Sequence, residues 1–372
     1  MHLKSYFFIF QILLLVIILK GIHFFHEYIT LMHQKIATTN IKKESTRLKT
    51  YEKKKDSKSS KNIQINKINS KKDINNFRIE EIKFDFSRDV LVHLHVQKTS
   101  GTNWENHIYT HLMVNINSKW IPACRFHNKR YQCLKTSHRY SFYWDRYTMR
   151  NCDIHAPFSE LSTCVSTKIS FFRGNAHFIT FIRNPVNRYI SEFHHVQRGA
   201  TWYKAIRKCN EQLIHKNKCY QKSDWKNVTW EEFTKCKYNL GNNRQVRMLA
   251  DYNKIGCEAL KCLTGTCTYH DAYKYERKLL ESAKHTLSNM PFFGITEYQE
   301  LSQYLFEKTY KSFFKFSVRL QQSNETLGEN YQKITIENET KKVNKLDIEF
   351  YDFALKLFFK RIGYFKSQKA FG

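Results

Sequence analysis

The stretch Val90–Thr102, VLVHLHVQKTSGT, decides the fold. Its first part, Val90–Val96, is a short, apolar, β-branched run typical of a buried strand. Small and polar residues follow at once, and Asn103–Val114 then has the mixed polarity of a helix. In a strand–loop–helix unit, the backbone N–H groups at the helix N-terminus point toward a bound phosphate. The order of elements therefore predicts a phosphate loop, in which Lys98 adds a mobile cation.

The loop differs from a Walker A motif, because its lysine precedes the glycine instead of following it. A nucleotide kinase would need that lysine together with magnesium ligands, and neither pattern is visible in the sequence. The loop therefore does not favour a nucleotide kinase.

A second apolar run, His177–Arg183, predicts another strand. It ends at Asn184-Pro185, and proline is favoured in the first turn of a helix, so a helix is predicted directly after it. Arg183 then lies at the carboxyl end of a strand, and Ser191 lies two turns into the helix. In a parallel α/β sheet, ligands bind at that edge.

A third run, Phe292–Thr296, follows a long amphipathic segment, Asp271–Ser288. Strands that alternate with helical stretches favour an α/β fold, with a mostly parallel central sheet flanked by helices, over a bundle or a sandwich.

The N-terminus is predicted to be a membrane anchor. Tyr6–Leu19 is almost wholly apolar, but as a helix it covers only about 21 Å of the ~30 Å hydrocarbon core. Residues 6–25 are long enough to span it, and no A-x-A cleavage site follows. We expect a single transmembrane signal anchor at 6–25, after a cytoplasmic tail at 1–5; a cleaved signal peptide and a buried core helix are the alternatives.

Residues 26–82 have the composition of a disordered stem. Between His33 and Arg78 there are 14 Lys and Arg against 4 Asp and Glu, with few aromatic residues. The whole chain carries +29, which implies a polyanionic partner: nucleic acid, anionic lipid, or a sulfated or carboxylated glycan. Behind an anchor, a nucleic acid is the weakest of these candidates. The predicted lumenal domain is 83–372.

All ten cysteines lie after the stem, as do three glycosylation sequons, at Asn227, Asn324 and Asn338. An even cysteine count in an oxidising compartment predicts disulfides, whose pairing the sequence leaves open. The rival interpretation is zinc at Cys257-x4-Cys262-x4-Cys267, but that spacing lacks the C-x2-C knuckle of structural zinc sites. No metal is expected.

These residues carry a resemblance to a known family. The K-T-x-G-T loop, with R-x-P and a serine eight residues after its arginine, resembles the two phosphate sites of sulfotransferases that use 3′-phosphoadenosine 5′-phosphosulfate (PAPS). Four longer strings are similar to the heparan-sulfate 6-O-sulfotransferases, and the similarity runs from about Asp89 to Asp352. The strings are LHVQKTSGT, RNPVNRYISEFHHVQRGATW, YNLGNNRQVRMLAD and PFFGITEYQELSQYLFEKTY.

The resemblance implies a P-loop NTPase-like sulfotransferase fold, in a type II Golgi membrane protein. It implies transfer of a sulfuryl group from PAPS to the 6-hydroxyl of glucosamine in heparan sulfate, by in-line displacement. By similarity, Lys98 would neutralise charge on the bridging oxygen, and Arg183 and Ser191 would hold the 3′-phosphate. The loop around the 5′-phosphosulfate would be His95, Val96, Gln97, Lys98, Thr99, Ser100, Gly101, Thr102 and Asn103. A weaker match to a later donor segment comprises Gln321, Gln322, Ser323, Leu327 and Gly328.

The acceptor hydroxyl needs a base, and a neutral imidazole suits that task. With 17 histidines, composition does not identify one; the resemblance of the segment Cys152–His155 does, and it implies His155. The alternative is a structural His155. The residues matched on the acceptor side are Lys129, Arg130, Arg146, Arg150, His155, His195 and Trp202.

The chain departs from the resembled family at three positions. Ser100 replaces a glycine, which costs energy if that residue needs a positive φ. Asn184 replaces an aspartate beside the 3′-phosphate arginine, and Arg150 replaces a tryptophan of the acceptor cleft. None of these changes removes a group that the chemistry requires, so an active enzyme is expected. The alternatives are another PAPS-dependent glycan sulfotransferase and an inactive heparan-binding relative.

Overall fold

A computed structural model describes the folded part of the chain, all of it within one compact unit, Arg78–Gly372. The described residues are 82–127, 130–135, 142–144, 155–169, 174–200, 207–209, 212–215, 219, 224–259, 269–318 and 330–368. The predicted tail, anchor and nearly all of the predicted stem lie outside these ranges. Within them, no helix is both long enough and apolar enough to cross a bilayer.

Eleven strands are described. They are β1 Val90–Leu94, β2 Leu112–Ile116, β3 Lys119–Pro122, β4 Cys124–His127, β5 Arg130–Cys133, β6 Tyr143–Trp144, β7 Ala176–Ile182, β8 Arg207–Cys209, β9 Gln212–His215, β10 Phe292–Ile295 and β11 Phe313–Phe314.

The longer helices of the described ranges are α1 Gly101–His111, α2 Phe158–Ile169, α3 Pro185–Gln197, α7 Tyr269–Asn289, α8 Gln299–Tyr310, α9 Asn330–Val343 and α10 Lys345–Gln368. Three shorter helices lie between α3 and α7: α4 Trp230–Lys235, α5 Arg244–Leu249 and α6 Tyr252–Ile255.

The central sheet has the strand order β10–β7–β1–β6, and every neighbouring pair is parallel. Val90 pairs with Ala176, and Phe292 pairs with Ile179, so the three strands expected from the sequence lie side by side. All five residues of β1 and all four of β10 are buried, as parallel strands covered on both faces should be. The prediction of an α/β fold with a parallel sheet is confirmed.

One predicted boundary was wrong. The helix after the loop does not continue to Val114; it ends at His111, where Leu112 turns to extended backbone with ψ 127°. Residues 112–116 instead form β2, which pairs antiparallel with β3 and with β11. The apolar residues of this segment are buried in that small sheet, and tertiary packing overrides the helical pattern.

Aromatic rings fill the space between the central sheet and the helices. Trp104 of α1 stacks on Phe292 with ring centroids 5.9 Å apart, and it also contacts Phe181 and Phe306. A Cβ at Gly294 would lie only 2.2 Å from a ring carbon of Phe181, so this strand position accepts no side chain. The core therefore fixes α1, and with it the loop, against the sheet.

The prediction of disulfides is confirmed among the described cysteines. Cys124 pairs with Cys133 across the β4–β5 ribbon, and Cys219 pairs with Cys236. Cys164 and Cys257 are also disulfide-bonded. Because Cys257 is oxidised, the rival zinc interpretation loses its first ligand.

Candidate donor site

The loop between β1 and α1 presents the N-terminus of a helix at the carboxyl edge of the sheet. Lys98 and Ser100 have left-handed backbones, with φ of 66° and 67°. The buried Thr99 is anchored on both sides: its hydroxyl donates to the carbonyl of Val96 at 2.9 Å, and its carbonyl accepts from the hydroxyl of Thr296 at 2.7 Å. The side chain of Ser100, the N-cap residue, makes no capping hydrogen bond to α1, and N–H groups in the first turn of a helix are the ones that bind anions.

Gly101, the first residue of α1, permits a close approach that a side chain would prevent. A Cβ there would lie 2.9 Å from two ring atoms of His95 and 3.2 Å from His93. Of the other predicted loop residues, Val96 is buried, Thr102 is exposed and Asn103 is half-buried in the first helical turn. The loop has the backbone arrangement that a phosphate needs.

The structure brings Arg183 to this loop. Its Nη1 donates to the carbonyl of Lys98 at 3.1 Å, from the end of β7. The backbone of Arg183 is held by Gln245, whose side chain accepts from its N–H and donates to its carbonyl, both at 2.9 Å. Ser191 lies half-buried on α3, which starts two residues after Arg183. The two predicted phosphate sites are therefore adjacent.

Asn184 caps α3. Its Oδ1 accepts from the backbone N–H groups of Val186 and Asn187, while its own N–H donates to Glu297 at 2.9 Å. An aspartate can make the same cap, so the departure at this position changes charge without loss of the helix start.

The predicted base also lies at the loop. The half-buried ring of His155 is 5.9 Å from the ring of His95, measured between centroids. His195 lies half-buried on α3, and its pKa is lowered by burial and then by the positive charges of Lys98 and Arg198. A lowered pKa keeps His195 uncharged at neutral pH. His155 thus lies next to His95 of the loop, and His195 lies near Lys98.

Beneath the loop lies a buried cluster that the sequence did not reveal. The Oε1 of Glu105 is 2.9 Å from Nδ1 of His95 and 3.1 Å from Nδ1 of His93, and the glutamate is fully buried. Burial alone would raise the pKa of Glu105, but its hydrogen bonds to the two histidines lower it well below the ordinary value. The signal available in the sequence was the H-x-H spacing, which puts both rings on one face of a strand.

A buried ionic network supports the loop from the other side. Glu192 of α3 pairs with Arg188 and with Arg244, and Nη1 of Arg244 donates to the side chain of Gln97 at 3.0 Å. Burial would raise the pKa of Glu192, but Arg244 and Arg188 lower it to about 2.

Asp347 accepts hydrogen bonds from the backbone N–H groups of Gln245 and Val246 in the first turn of α5, and burial raises the pKa of Asp347. Arg244 and Gln245 were missed as individual residues, although both belong to the string YNLGNNRQVRMLAD.

Several predicted site residues lie wholly or partly outside the described part of the chain. The side chain of Arg130, which belongs to β5, lies outside the described residues. Also outside them are Lys129, Arg146, Arg150, Trp202, Gln321, Gln322, Ser323, Leu327, Gly328 and the sequon at Asn324. The sequon residues Asn227 and Asn338 are described, and both are exposed.

Comparison with known proteins agrees with this geometry. A family model described as "Sulfotransferase family" matches residues 83–354. The chain is 37% identical over 297 residues to human heparan-sulfate 6-O-sulfotransferase 1, which covers 76% of this chain and 69% of that protein. It is 36% identical over 301 residues to heparan-sulfate 6-O-sulfotransferase 1-B of Danio rerio (76% and 70% covered), and 36% over 299 residues to heparan-sulfate 6-O-sulfotransferase 2 of Gallus gallus (76% and 70%). On this similarity and on the phosphate loop described above, the chain belongs to the sulfotransferase family, in the group of the heparan-sulfate 6-O-sulfotransferases.

Proposed function

We propose that this chain transfers the sulfuryl group of PAPS to the 6-hydroxyl of glucosamine residues in heparan sulfate. The observation that carries the proposal is the hydrogen bond from Arg183 to the carbonyl of Lys98, which joins the predicted 3′-phosphate residue to the predicted 5′-phosphosulfate loop. Two phosphate-binding groups side by side fit a donor that bears a phosphate at each end of its ribose.

The residues of the loop fit the anionic end of the donor. The N-terminus of α1, where the side chain of Ser100 makes no capping hydrogen bond, offers backbone N–H groups to an anion. The absence of a side chain at Gly101 lets the ring of His95 pack against this end of the helix. Lys98 adds a full positive charge. During transfer it neutralises the negative charge that grows on the bridging oxygen as the bond from that oxygen to sulfur breaks.

His155 acts as general base. Its neutral imidazole accepts the proton of the 6-hydroxyl while the hydroxyl oxygen attacks sulfur in line with the departing oxygen. The new bond joins the glucosamine oxygen to sulfur, and adenosine 3′,5′-bisphosphate leaves. The proton passes to His155, the sulfuryl group passes to the glucosamine oxygen, and the electron pair of the broken bond stays on the departing phosphate oxygen. This step requires no metal.

Arg183 and Ser191 hold the 3′-phosphate, since a planar guanidinium matches phosphate oxygens and a hydroxyl adds one more donor. On the acceptor side, the uncharged His195 and the cations Lys129, Arg130, Arg146 and Arg150 contact the sulfate and carboxylate groups of the glycan, with Trp202 against a sugar face. The later segment 321–328 completes the donor pocket.

We further propose a single-pass type II Golgi protein. It is anchored by residues 6–25, carried on the stem 26–82, and glycosylated at Asn227, Asn324 and Asn338 in the lumen. Heparan sulfate chains are its macromolecular partner. A nucleic acid has no part in this account, because the domain would not meet one in that compartment.

The test is sulfate transfer by the purified full-length chain, in detergent, from labelled PAPS to completely desulfated, N-resulfated heparin. Disaccharide analysis then locates the new sulfate. We expect label at the glucosamine 6-position. Label at another hydroxyl would refute the regiochemistry, and binding of heparin without any transfer would favour an inactive heparan-binding relative.

A further inference from the structure

Two histidines that precede the phosphate loop and one glutamate that follows it meet at a single oxygen atom. His93 lies in β1 and His95 directly follows the last residue of that strand, and their ring centroids are 5.5 Å apart. Glu105 lies in the second turn of α1, and its Oε1 is within 3.1 Å of Nδ1 on both rings. These contacts connect the strand to the helix directly beneath the loop that joins them.

We propose that Glu105 is a positioning residue of the donor site, which fixes the ring of His95 under the phosphate loop. This inference rests on the proposed function, because it assigns to Glu105 an effect on the binding of PAPS.

The carboxylate determines how each ring is oriented. Glu105 is fully buried, and a buried carboxylate costs free energy unless it is hydrogen-bonded; both histidine contacts are made by its Oε1. An ionised carboxylate only accepts, so both His93 and His95 present an N–H at Nδ1 to it. The hydroxyl of Tyr143 lies 3.1 Å from the same Nδ1 of His93, where its oxygen accepts from that N–H as well.

The other nitrogen of His93 agrees with this assignment. Its Nε2 is buried and has no hydrogen-bond partner among the described residues. A proton at Nε2 would therefore be a buried donor without an acceptor, which costs more than a bare nitrogen. The hydrogen belongs on Nδ1, where Glu105 accepts it.

The held ring of His95 lies where the donor would bind. It packs so closely on the first residue of α1 that a Cβ at Gly101 would approach it to 2.9 Å, and its ring centroid is 5.9 Å from that of His155. Rotation of the His95 ring would move the start of α1 or the imidazole of His155. A misplacement of about 1 Å near reacting groups can cost about 100-fold in rate.

The variant Glu105→Gln tests this role, because it keeps the shape and removes the charge. An amide offers one accepting oxygen and two N–H donors, so its NH₂ group would face an N–H of one histidine, and that ring must turn or move its hydrogen. In the full-length chain we expect the KM for PAPS to rise at least about 10-fold. The KM for the heparin acceptor should stay within about twofold of the wild-type value. Glu105→Asp keeps the charge and should recover part of the loss. Glu300→Gln, at an exposed position of α8, is the matched control.

Binding of adenosine 3′,5′-bisphosphate, measured by calorimetry, separates this inference from the proposed function because it needs no glycan. Wild-type protein that does not bind the nucleotide would refute the proposed donor. Equal affinities of the wild-type protein and of Glu105→Gln for adenosine 3′,5′-bisphosphate would refute the role of Glu105. If Glu105→Gln does not fold, Glu105→Asp is expected to show the same rise in the KM for PAPS, to a smaller extent.

Two further results would overturn the inference. Equal rises in both KM values, together with a lower melting temperature, would mean that Glu105 merely stabilises the fold. One equivalent of a divalent metal in the purified protein, measured by mass spectrometry, would make His93, His95 and Glu105 metal ligands instead.

Discussion

At the scale of single residues, the backbone of the phosphate loop is the least ordinary feature of the site. Lys98 and Ser100 both adopt left-handed conformations, which cost a residue with a Cβ roughly 1–2 kcal/mol relative to the right-handed region. Glycine avoids that cost. Serine in place of glycine at position 100 therefore strains the backbone of this chain, and the packing around Thr99 and Gly101 holds the loop in spite of that strain.

Ser100→Gly should relieve the strain. Glycine also loses more backbone entropy on folding, by about 0.5–1 kcal/mol, so we expect a net gain of up to about 1 kcal/mol in the free energy of unfolding. Urea unfolding measures it. Ser166→Gly, at an exposed position within α2, is the matched control and should instead destabilise by about 0.5–1 kcal/mol. A loss of stability in Ser100→Gly would contradict the strain argument.

His155→Ala should lower kcat by a factor of about 10² to 10⁴, because the acceptor hydroxyl loses its base. The affinity for adenosine 3′,5′-bisphosphate should change little, since the proposed phosphate contacts are made by the loop and Arg183. The measurement is steady-state sulfate transfer alongside calorimetry. His285→Ala, on an exposed part of α7, controls for loss of an imidazole elsewhere. An unchanged kcat in His155→Ala would return that residue to a structural role.

At the scale of elements, α3 and α5 are joined to the loop by buried charge. Glu192 on α3 is shared by Arg188 and Arg244, and Arg244 on α5 also donates to Gln97. A buried pair adds little net stability, but removal of one partner leaves the others uncompensated. The network therefore fixes how α3, which carries Ser191 and His195, lies against the loop.

Glu192→Gln should destabilise the fold by about 3–5 kcal/mol, because buried Arg244 loses Glu192 as its counter-ion and buried Arg188 keeps only Asp347, at 3.9 Å. The pKa of Glu192 is lowered to about 2, from an ordinary value of 4.5. Its stabilising effect is thus complete above about pH 4.5 and disappears as the pH falls toward 2. The difference in unfolding free energy between wild type and Glu192→Gln should shrink over that interval. A difference that stays constant from pH 6 to pH 2 would exclude an ionised Glu192.

The elements near the loop show how far the sequence alone could go. The apolar runs at 90–96, 177–183 and 292–296 correspond to adjacent parallel strands. They could be predicted because apolar, β-branched runs bounded by turns are a strong sequence signal for strands. The end of α1 at His111 could not be read, since residues 112–116 are apolar in either conformation and pair with distant β11. The position of Arg183 at the end of a strand could be predicted from the sequence. The hydrogen bonds between Glu105 and His95, 10 residues apart, and between Arg244 and Gln97, 147 residues apart, could not be predicted, because such contacts leave no local pattern.

At the scale of the whole molecule, a strongly basic, disulfide-bonded domain is consistent with a lumenal enzyme that acts on an anionic glycan. The chain carries +29, and every described cysteine whose side chain is placed is oxidised. Disulfides persist in the secretory pathway and are rare in the cytosol. Two sequons, at Asn227 and Asn338, are exposed on the folded unit.

Expression in a secretory cell should therefore yield a protein that shifts in mass when N-glycans are removed enzymatically. Asn227→Gln and Asn338→Gln should each remove one step of that shift, because both asparagines are exposed to the transferase. Gel mobility before and after deglycosylation is sufficient. A chain that carries no N-glycan at either position would contradict a lumenal domain.

The most direct test of the whole account is a crystal structure of the full-length chain with adenosine 3′,5′-bisphosphate and a heparan oligosaccharide. We predict the 5′-phosphate at the N-terminus of α1 and the 3′-phosphate on Arg183 and Ser191. A glucosamine 6-hydroxyl should lie within about 2.6–3.2 Å of the imidazole of His155. A different hydroxyl in that place, or a nucleotide bound away from residues 95–103, would contradict the account.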